Sequence, residues 1–185
     1  IYIEPIFITR IEDKNGVPIF EVIPNTTDVL SEEAAFVTLN LMEGVTNFGS
    51  GGRLRHSGLE ETNYVYKNLI TGYPYAFENA IAGKTGTTQN QSDGWLMGMV
   101  PNLVTGVWVG GEDRSVHFED IAFGQGATMA LPIWAQFMKN AYLNPDLGIS
   151  AEDFQSPAVL TIPTDCENYS IESETKKKDL EDLGF

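Results

Sequence analysis

The sequence predicts an α+β fold, in which an antiparallel β-sheet of at least three strands is covered by two main helices. Residues 94–100 and 103–110 are strand-like runs on either side of Pro101 and Asn102, which is the pattern of a β-hairpin. Residues 80–88 form a third strand-like run just before them. Two further segments repeat apolar residues at helical spacing. With 185 residues, 42% of them hydrophobic, the chain can bury the core of one domain.

The start of the chain predicts a peripheral hairpin. Residues 6–12 and 17–23 are apolar-rich runs on either side of an Asn-Gly turn. Pro18 lies within the second run, and proline in a strand is typical of an exposed edge. Because the chain begins without methionine or a signal peptide, we expect it to be a piece of a longer protein.

The first main helix is predicted to begin at Ser31. A serine here can cap free backbone N–H groups, and two glutamates follow it in the first turn, where the helix dipole favours acids. Ala35, Leu39 and Met42 recur at helical spacing, so we expect this helix to bury one face. The glycine-rich residues 49–52 predict a flexible loop after it.

The second main helix is predicted over residues 128–142, with Pro132 in its first turn, where proline is tolerated. Its expected buried stripe consists of Met129, Ile133, Trp134, Phe137, Met138 and Ala141. We assign residues 1–142 to one domain and residues 143–185 to a peripheral acidic C-terminal tail.

The structure of the segment between the first helix and the sheet is harder to predict. Residues 53–80 show no regular period, and we expect a loop-rich excursion with a short helix.

Trp95, Trp108 and Trp134 are expected to anchor the core, since large aromatic side chains dominate core burial.

Charge and composition exclude several classes of function. Lys and Arg total 11 against 26 Asp and Glu, a formal charge of −15, whereas nucleic-acid phosphates and anionic membranes are bound by clustered cations. No apolar run approaches the roughly 20 residues of a membrane helix. The one cysteine, Cys166, forms no internal disulfide. His56 and His117 are expected to be exposed, and neither a metal site nor a cofactor is predicted.

The stretch that indicates chemistry is Lys84-Thr85-Gly86-Thr87, in the first strand of the predicted sheet. A lysine and two hydroxyls on one strand can bind a ligand carboxylate with a positive charge and hydrogen-bond donors. The bare backbone at Gly86 lets a peptide lie alongside as an added strand. A backbone N–H of the same edge can point at a developing oxyanion.

This stretch allows two other interpretations. Gly83, Lys84 and Thr85 match the end of a phosphate-binding loop, but that motif requires glycine where this chain has Glu78, and antiparallel strands follow instead of a long helix. The simpler alternative is a solvated lysine among β-forming threonines, because motifs this short occur by chance.

The sequence on both sides of this stretch indicates a resemblance to one protein family. The sequence resembles the C-terminal half of the transpeptidase domain of class A penicillin-binding proteins, over residues 5–142. Its shared segments are the Lys-Thr-Gly-Thr strand, Asp93-Gly94-Trp95 opening the next strand, the Val-Trp-Val-Gly strand that ends at Gly110, and Gly124-Gln125-Gly126 before the second helix.

The resemblance implies a serine acyltransferase without metal or organic cofactor. Such an enzyme is acylated by the D-Ala-D-Ala end of a peptidoglycan stem peptide, passes the acyl group to an amine, and is blocked by β-lactams. By this resemblance Lys84 supplies positive potential and assists proton movement. The hydroxyls of Thr85 and Thr87 bind the donor carboxylate, and the Thr87 N–H is half of the oxyanion hole.

The resemblance also implies a parent protein beyond these residues. We expect a membrane anchor, a glycosyltransferase domain upstream, and a location at the periplasmic or outer face of the inner membrane. In this family S-x-x-K, which supplies the nucleophile and a lysine, and S-x-N precede the Lys-Thr-Gly strand. Neither precedes Lys84 here. The literal match from Ser173 to Lys176 lies in the acidic tail, and Tyr66-Lys67-Asn68 lies in the long excursion, so both are interpreted as chance matches.

These departures predict that the isolated chain carries the substrate-binding strand without the nucleophile and is inactive. We also expect it to expose an apolar sheet face and to self-associate. Two alternatives stay open: a D,D-carboxypeptidase or β-lactamase-type hydrolase, and a non-catalytic binding module derived from this fold.

Overall fold

A computed structural model describes residues 1–164 of the chain. The strands are β1 (Tyr2–Ile3), β2 (Arg10–Glu12), β3 (Pro18–Glu21), β4 (Thr26–Thr27), β5 (Ala82–Thr87), β6 (Asp93–Val100) and β7 (Leu103–Gly110). The helices are α1 (Glu32–Asn47), α2 (Tyr64–Asn68), α3 (Ile121–Gly124), α4 (Gly126–Met129) and α5 (Leu131–Tyr142). Short 3₁₀ turns occupy Gly52–Leu54, Gln89–Gln91 and Pro145–Leu147. The predicted α+β class is confirmed.

The central sheet has three antiparallel strands in the order β5-β6-β7. Val100 pairs with Leu103 across the predicted turn, and Trp95 pairs with Trp108 near the other end. Strand geometry sends alternate side chains to opposite faces. On β6 the buried residues Gly94, Leu96 and Gly98 therefore face the helices, whereas the intervening residues face outward.

Two small two-stranded sheets precede α1. β2 and β3 form the predicted hairpin, and β1 pairs with β4. The carboxylate of Asp13 accepts the N–H groups of Asn15 and Val17, at 2.8 and 2.9 Å, while Gly16 takes a φ of +81°. All residues of the hairpin strands are exposed, Pro18 included, as expected of an edge.

Helix α5 packs on the buried face of the sheet through Trp134, which is fully buried. Its indole N–H donates a 2.5 Å hydrogen bond to Thr105 Oγ1, and its ring lies on the bare backbone of Gly98. The predicted stripe is wrong at Ile133 and Phe137, which are half exposed. Helix packing here uses the face defined by Trp134 and Met138, so Ile133 and Phe137 turn away from the sheet, whereas Met129 and Ala141 are buried as predicted.

The long second helix of the prediction is in fact two helices, α4 and α5, which meet at Ala130. The prediction that all three tryptophans lie in the core is wrong for two of them. Trp95 is 44% exposed and Trp108 47% exposed, and they lie opposite each other on the outward face of the sheet, across from α5. Strand alternation is the reason, because the glycines and Leu96 occupy the inward positions of β6.

Helix α1 begins as predicted, with the Ser31 hydroxyl accepting the Ala34 N–H at 3.2 Å. Its apolar face is less buried than predicted. Thr46 is the one fully buried residue of the helix, whereas Leu39 and Met42 are half-buried. The C-terminal end of the helix packs against β5. There the Thr46 hydroxyl donates a 2.5 Å hydrogen bond to the carbonyl of Ile81, the residue just before the strand.

The excursion that follows α1 is a structured part of the core. Tyr66 and Tyr75 are almost fully buried, and Tyr73 bridges them edge-on, with ring centroids 5.4 and 5.6 Å away. Burial raises the pKa values of the Tyr66 and Tyr75 hydroxyls well above their ordinary value. The expected short helix is α2, capped by the side chain of Asn63.

A buried carboxylate, Glu61, holds the excursion together. It accepts 2.7 Å hydrogen bonds from Arg53 Nε and from the Asn63 N–H, and the Arg53 guanidinium lies 4.2 Å over the Tyr66 ring. Burial alone raises the pKa of Glu61, but the hydrogen bonds from Asn63 and Arg53 outweigh it and hold that pKa below its ordinary value. His56, expected to be exposed, is half-buried with Nδ1 3.7 Å from this carboxylate.

The described part of the C-terminal tail lies along α1. The Asn102 side chain donates to the Gly148 carbonyl at 2.7 Å and accepts the Ser150 N–H at 2.8 Å. Further along, the Glu33 carboxylate accepts hydrogen bonds from Thr161 and Ile162. Residues 165–185 lie outside the described residues, and with them Cys166 and the literal S-x-x-K match from Ser173 to Lys176. Within residues 1–164 no helix is both long and apolar enough to span a bilayer.

The contact between α5 and β6 generates a stability prediction. In Gly98→Ala the added methyl overlaps the rigid Trp134 ring, so we expect a loss of about 1–3 kcal/mol in the free energy of unfolding. Gly106→Ala is the matched control, because the methyl there meets the flexible end of Met97 on the open face of the sheet. Thermal unfolding followed by circular dichroism compares them, and equal losses for both variants contradict the packing argument.

The Glu61 cluster generates a pH prediction. Since folding lowers the pKa of Glu61 below 4.5, its ionised form stabilises the folded state above that pH, and the contribution is lost as the pH falls through the lowered value. Glu61→Gln should cost about 1–3 kcal/mol at ~pH 7, and this cost should shrink as the pH falls through the lowered pKa, because a protonated Glu61 resembles glutamine. Chemical unfolding across this range measures the difference, and a pH-independent cost would refute it. Glu119→Gln, at an exposed position outside this cluster, serves as the control.

Candidate active site

The predicted site residues lie along β5, the edge strand of the central sheet as far as residues 1–164 define it. On its paired side, Gly86 lies opposite Trp95 of β6. Lys84 and Thr87 are exposed, and Thr85 and Gly86 are half-buried. Because one edge of the strand has no strand partner in this part of the chain, its backbone groups can meet an extended ligand.

The Lys84 ammonium lies close to the backbone of its own strand. Successive side chains of a strand leave opposite faces, so Lys84 starts on the face opposite Thr85 and Thr87. Its Nζ nevertheless donates a 2.8 Å hydrogen bond to the Thr85 carbonyl oxygen. The positive charge therefore lies next to the segment that carries both hydroxyls.

Thr87 is fixed by the glycine segment 124–126, whose last residue is the first residue of α4. The Gly126 N–H donates to Thr87 Oγ1 at 3.0 Å. A side chain at position 126 would overlap the carbonyl oxygens of Gly86 and Trp95, so only glycine allows this approach. Since Thr87 Oγ1 accepts the Gly126 hydrogen bond, its own hydrogen remains able to bond an anion.

Thr85 is fixed by the glycine-rich loop after α1. Its Oγ1 lies 2.6 Å from Ser50 Oγ, a short hydrogen bond between two hydroxyls. Ser50 is separated from Thr85 by 35 positions in the sequence, so the contact depends on the packing of α1 against β5.

A polar cavity of about 370 Å³ opens beside Ser50. Its wall includes Asn47, Ser50, Arg53, His56, Glu61 and Gln125. The cavity joins the loop after α1 to the glycine segment 124–126, which are the two segments that hold Thr85 and Thr87.

The start of β5 is anchored by Arg55. Its guanidinium donates to the carbonyl oxygens of Phe77 and Asn79, at 3.1 and 2.6 Å, and to Thr46 Oγ1 at 3.3 Å. Burial lowers the pKa of Arg55, and the charge of Glu43 opposes this shift. Burial likewise raises the pKa of the Glu43 carboxyl, with Arg55 opposing. The arginine thus joins the excursion to α1 just before the strand that carries the site.

The structure thus places all four predicted residues on one strand and adds two that the sequence did not indicate. Ser50 and Gly126 lie in glycine-rich segments, and that composition was the available signal. It indicated loops and a family resemblance, without showing that either loop contacts β5.

Other residues considered from the sequence lie elsewhere. His117, Glu112 and Asp113 are exposed in the loop after β7. Within residues 1–164 no group of three or more histidine, cysteine, aspartate or glutamate side chains is placed to hold a metal ion.

Comparison with known proteins gives relatives of one kind. No family model matches the chain. The chain is 29% identical to penicillin-binding protein 1A of Aquifex aeolicus over 153 residues, which is 81% of this chain and 18% of that protein. It is 33% identical to penicillin-binding protein 2D of Bacillus subtilis over 139 residues, 75% of this chain and 18% of that protein. The chain therefore spans about a fifth of the length of these relatives.

A solved structure agrees on the fold. The crystal structure of penicillin-binding protein 1A from Haemophilus influenzae superposes with a TM-score of 0.54 at 21% identity, covering 86% of this chain and 25% of that one. The predicted family is confirmed, and the fold is that of part of a transpeptidase domain. The chain is homologous to part of the transpeptidase region of the class A penicillin-binding proteins.

Proposed function

We propose that the chain is the C-terminal portion of a peptidoglycan D,D-transpeptidase, a serine acyltransferase that cross-links stem peptides and reacts with β-lactams. Residues 1–142 belong to the transpeptidase domain, and residues 143–185 are its C-terminal tail. The observation that carries the proposal is the edge of β5, where the Lys84 ammonium bonds the Thr85 carbonyl oxygen beside two threonine hydroxyls that other segments hold in place, in a chain related to penicillin-binding proteins.

The role of β5 is to bind the carboxylate of the donor peptide. The carboxylate at the D-Ala-D-Ala end accepts hydrogen bonds from the hydroxyls of Thr85 and Thr87, and the nearby Lys84 charge favours its anionic form. Two facts support this role: Thr87 Oγ1 already accepts a bond from Gly126, which leaves its hydrogen to donate, and within residues 1–164 one edge of β5 has no strand partner.

The chemical step needs a nucleophile as well as a binding strand. A serine oxygen attacks the penultimate D-Ala carbonyl, the terminal D-Ala leaves with a proton, and an amine of a second stem peptide then takes the acyl group. The Thr87 N–H stabilises the developing oxyanion, and Lys84 assists proton movement. Because no S-x-x-K precedes Lys84, the proposal assigns the serine to polypeptide outside these 185 residues.

The setting of the parent protein follows from the same proposal. Its substrate is cell-wall peptidoglycan, so the domain works on the extracytoplasmic side, periplasmic in a cell with two membranes. The parent carries a membrane anchor and a glycosyltransferase domain in the remaining polypeptide. Neither metal nor organic cofactor takes part in this chemistry.

The outward face of the sheet supports a further part of the proposal. Trp95, Met97 and Trp108 are 39–47% exposed side by side on one face, which is unusual for large apolar side chains. If the rest of the domain covers this face, the 185-residue chain alone should self-associate through it. Light scattering tests this, with Trp108→Lys expected to restore the monomer; a monomer at high concentration for the unaltered chain would count against it.

The experiment that tests the proposed function uses a fluorescent penicillin. One sample is the 185-residue chain, and the other is the complete polypeptide that its gene encodes. We expect covalent label on the complete polypeptide and none on the chain. Label on neither supports a non-catalytic binding module, and label on the short chain shows that the nucleophile lies within it. Release of the label by hydrolysis within minutes supports the hydrolase alternative.

One variant of the complete polypeptide sharpens this assay. Lys84→Ala should lower the labelling rate by about 100-fold or more, because it removes the charge beside the carboxylate site and a group that assists proton transfer. Since the Lys84 side chain is exposed, the thermal stability of the Lys84→Ala protein should equal that of the unaltered protein. Lys67→Ala, an exposed lysine of α2, should label normally. Normal labelling of Lys84→Ala contradicts the role given to this residue.

A further inference from the structure

The hydroxyl pair formed by Ser50 and Thr85 carries an inference that rests on the proposed function and deepens it. The two oxygens are 2.6 Å apart, so one hydroxyl donates to the other. A pair of hydroxyls contains two hydrogens, and this bond uses one of them. The second hydrogen is free, on Thr85 if Ser50 is the donor and on Ser50 if Thr85 is the donor.

Ser50 is held in place by the backbone of its loop. The Gly49 N–H donates to the Gly44 carbonyl at 3.1 Å, and the Gly51 N–H donates to the Val45 carbonyl at 2.9 Å. A side chain on Gly49 would lie 2.9 Å from Val45 Cα, closer than such contacts allow. The residues on both sides of Ser50 are therefore hydrogen-bonded to the end of α1. Because the loop is already held in this way, its conformation does not have to become ordered for the serine hydroxyl to contact Thr85.

The preferred direction of the bond follows from an anion at β5. A carboxylate accepts hydrogen bonds and cannot donate them, so it draws the Thr85 hydrogen outward. Thr85 Oγ1 then needs a donor for its lone pair, and Ser50 is the side chain within reach. Accepting a hydrogen bond also makes a hydroxyl a stronger donor.

We propose that Ser50 is a positioning residue of the carboxylate site: its hydroxyl donates to Thr85 Oγ1 and directs the Thr85 hydrogen toward the carboxylate of the donor peptide or the β-lactam. Ser50 does not itself touch the reacting atoms. Together with the Gly126 N–H on Thr87, it gives each threonine of β5 its own donor.

The test measures acylation of the complete polypeptide by benzylpenicillin and by its methyl ester, which lacks the carboxylate charge. Ser50→Ala should lower the second-order rate constant for benzylpenicillin roughly three- to tenfold, the range for one hydrogen bond. The rate constant for the ester should stay within about twofold of its original value, since it lacks the anion that this hydrogen bond serves. Ser50→Thr keeps a hydroxyl and should restore the benzylpenicillin rate.

A double-mutant cycle separates positioning from a general loop effect. Once Thr85→Val has removed the threonine hydroxyl, Ser50→Ala should cost nothing more. Equal loss toward both substrates, or losses that multiply in the double variant, would overturn the role of Ser50. Ser156→Ala, an exposed serine in the tail, is the matched control, and circular dichroism confirms that each variant is folded.

The same measurements keep this inference apart from the proposed function. If Thr85→Val slows benzylpenicillin acylation and Ser50→Ala does not, the carboxylate site stands and Ser50 has no part in it. If Thr85→Val leaves the preference for benzylpenicillin over the ester unchanged, the carboxylate role of β5 fails, and the role of Ser50 fails with it.

Discussion

The rest of the structure depends on one contact, the seating of the Trp134 ring on the bare backbone of Gly98. The indole occupies the space that a side chain on β6 would fill, and its N–H is satisfied by Thr105 of the neighbouring strand. This contact fixes α5 on one face of the sheet. The outward residues of β6 and β7, Trp95 and Trp108 among them, are consequently left on the opposite face.

The site follows from how β5 is held at both ends. Arg55 and Thr46 join its start to α1, and the Gly126 backbone contacts its end. These anchors are hydrogen bonds between side chains and the backbone, together with a close approach that glycine alone permits, so the strand is positioned before any ligand binds. Preorganisation of this kind is what a carboxylate site needs, because the hydroxyls do not have to be ordered during binding.

The sequence predicted the features that depend on neighbours along the chain. The strand-like runs on either side of Pro101 and Asn102 located β6 and β7, and Ser31 marked the start of α1. It failed where the outcome depends on distant partners. The alternation of side chains along a strand predicts that Trp95 and Leu96 lie on opposite faces of the sheet. It does not predict which of the two faces α5 covers. Ser50 was missed because its partner is far away along the chain.

The cations near β5 differ in whether they are already paired, and this difference bears on the proposed carboxylate site of so acidic a chain. Arg53 is ion-paired with Glu61, and Arg55 is bonded to backbone carbonyls. Within residues 1–164 Lys84 has no ion-pair partner, and its ammonium bonds a carbonyl that carries no net charge. Screening limits the reach of the total charge of −15 to about 8 Å in physiological salt. The field at the strand edge is therefore set locally by Lys84.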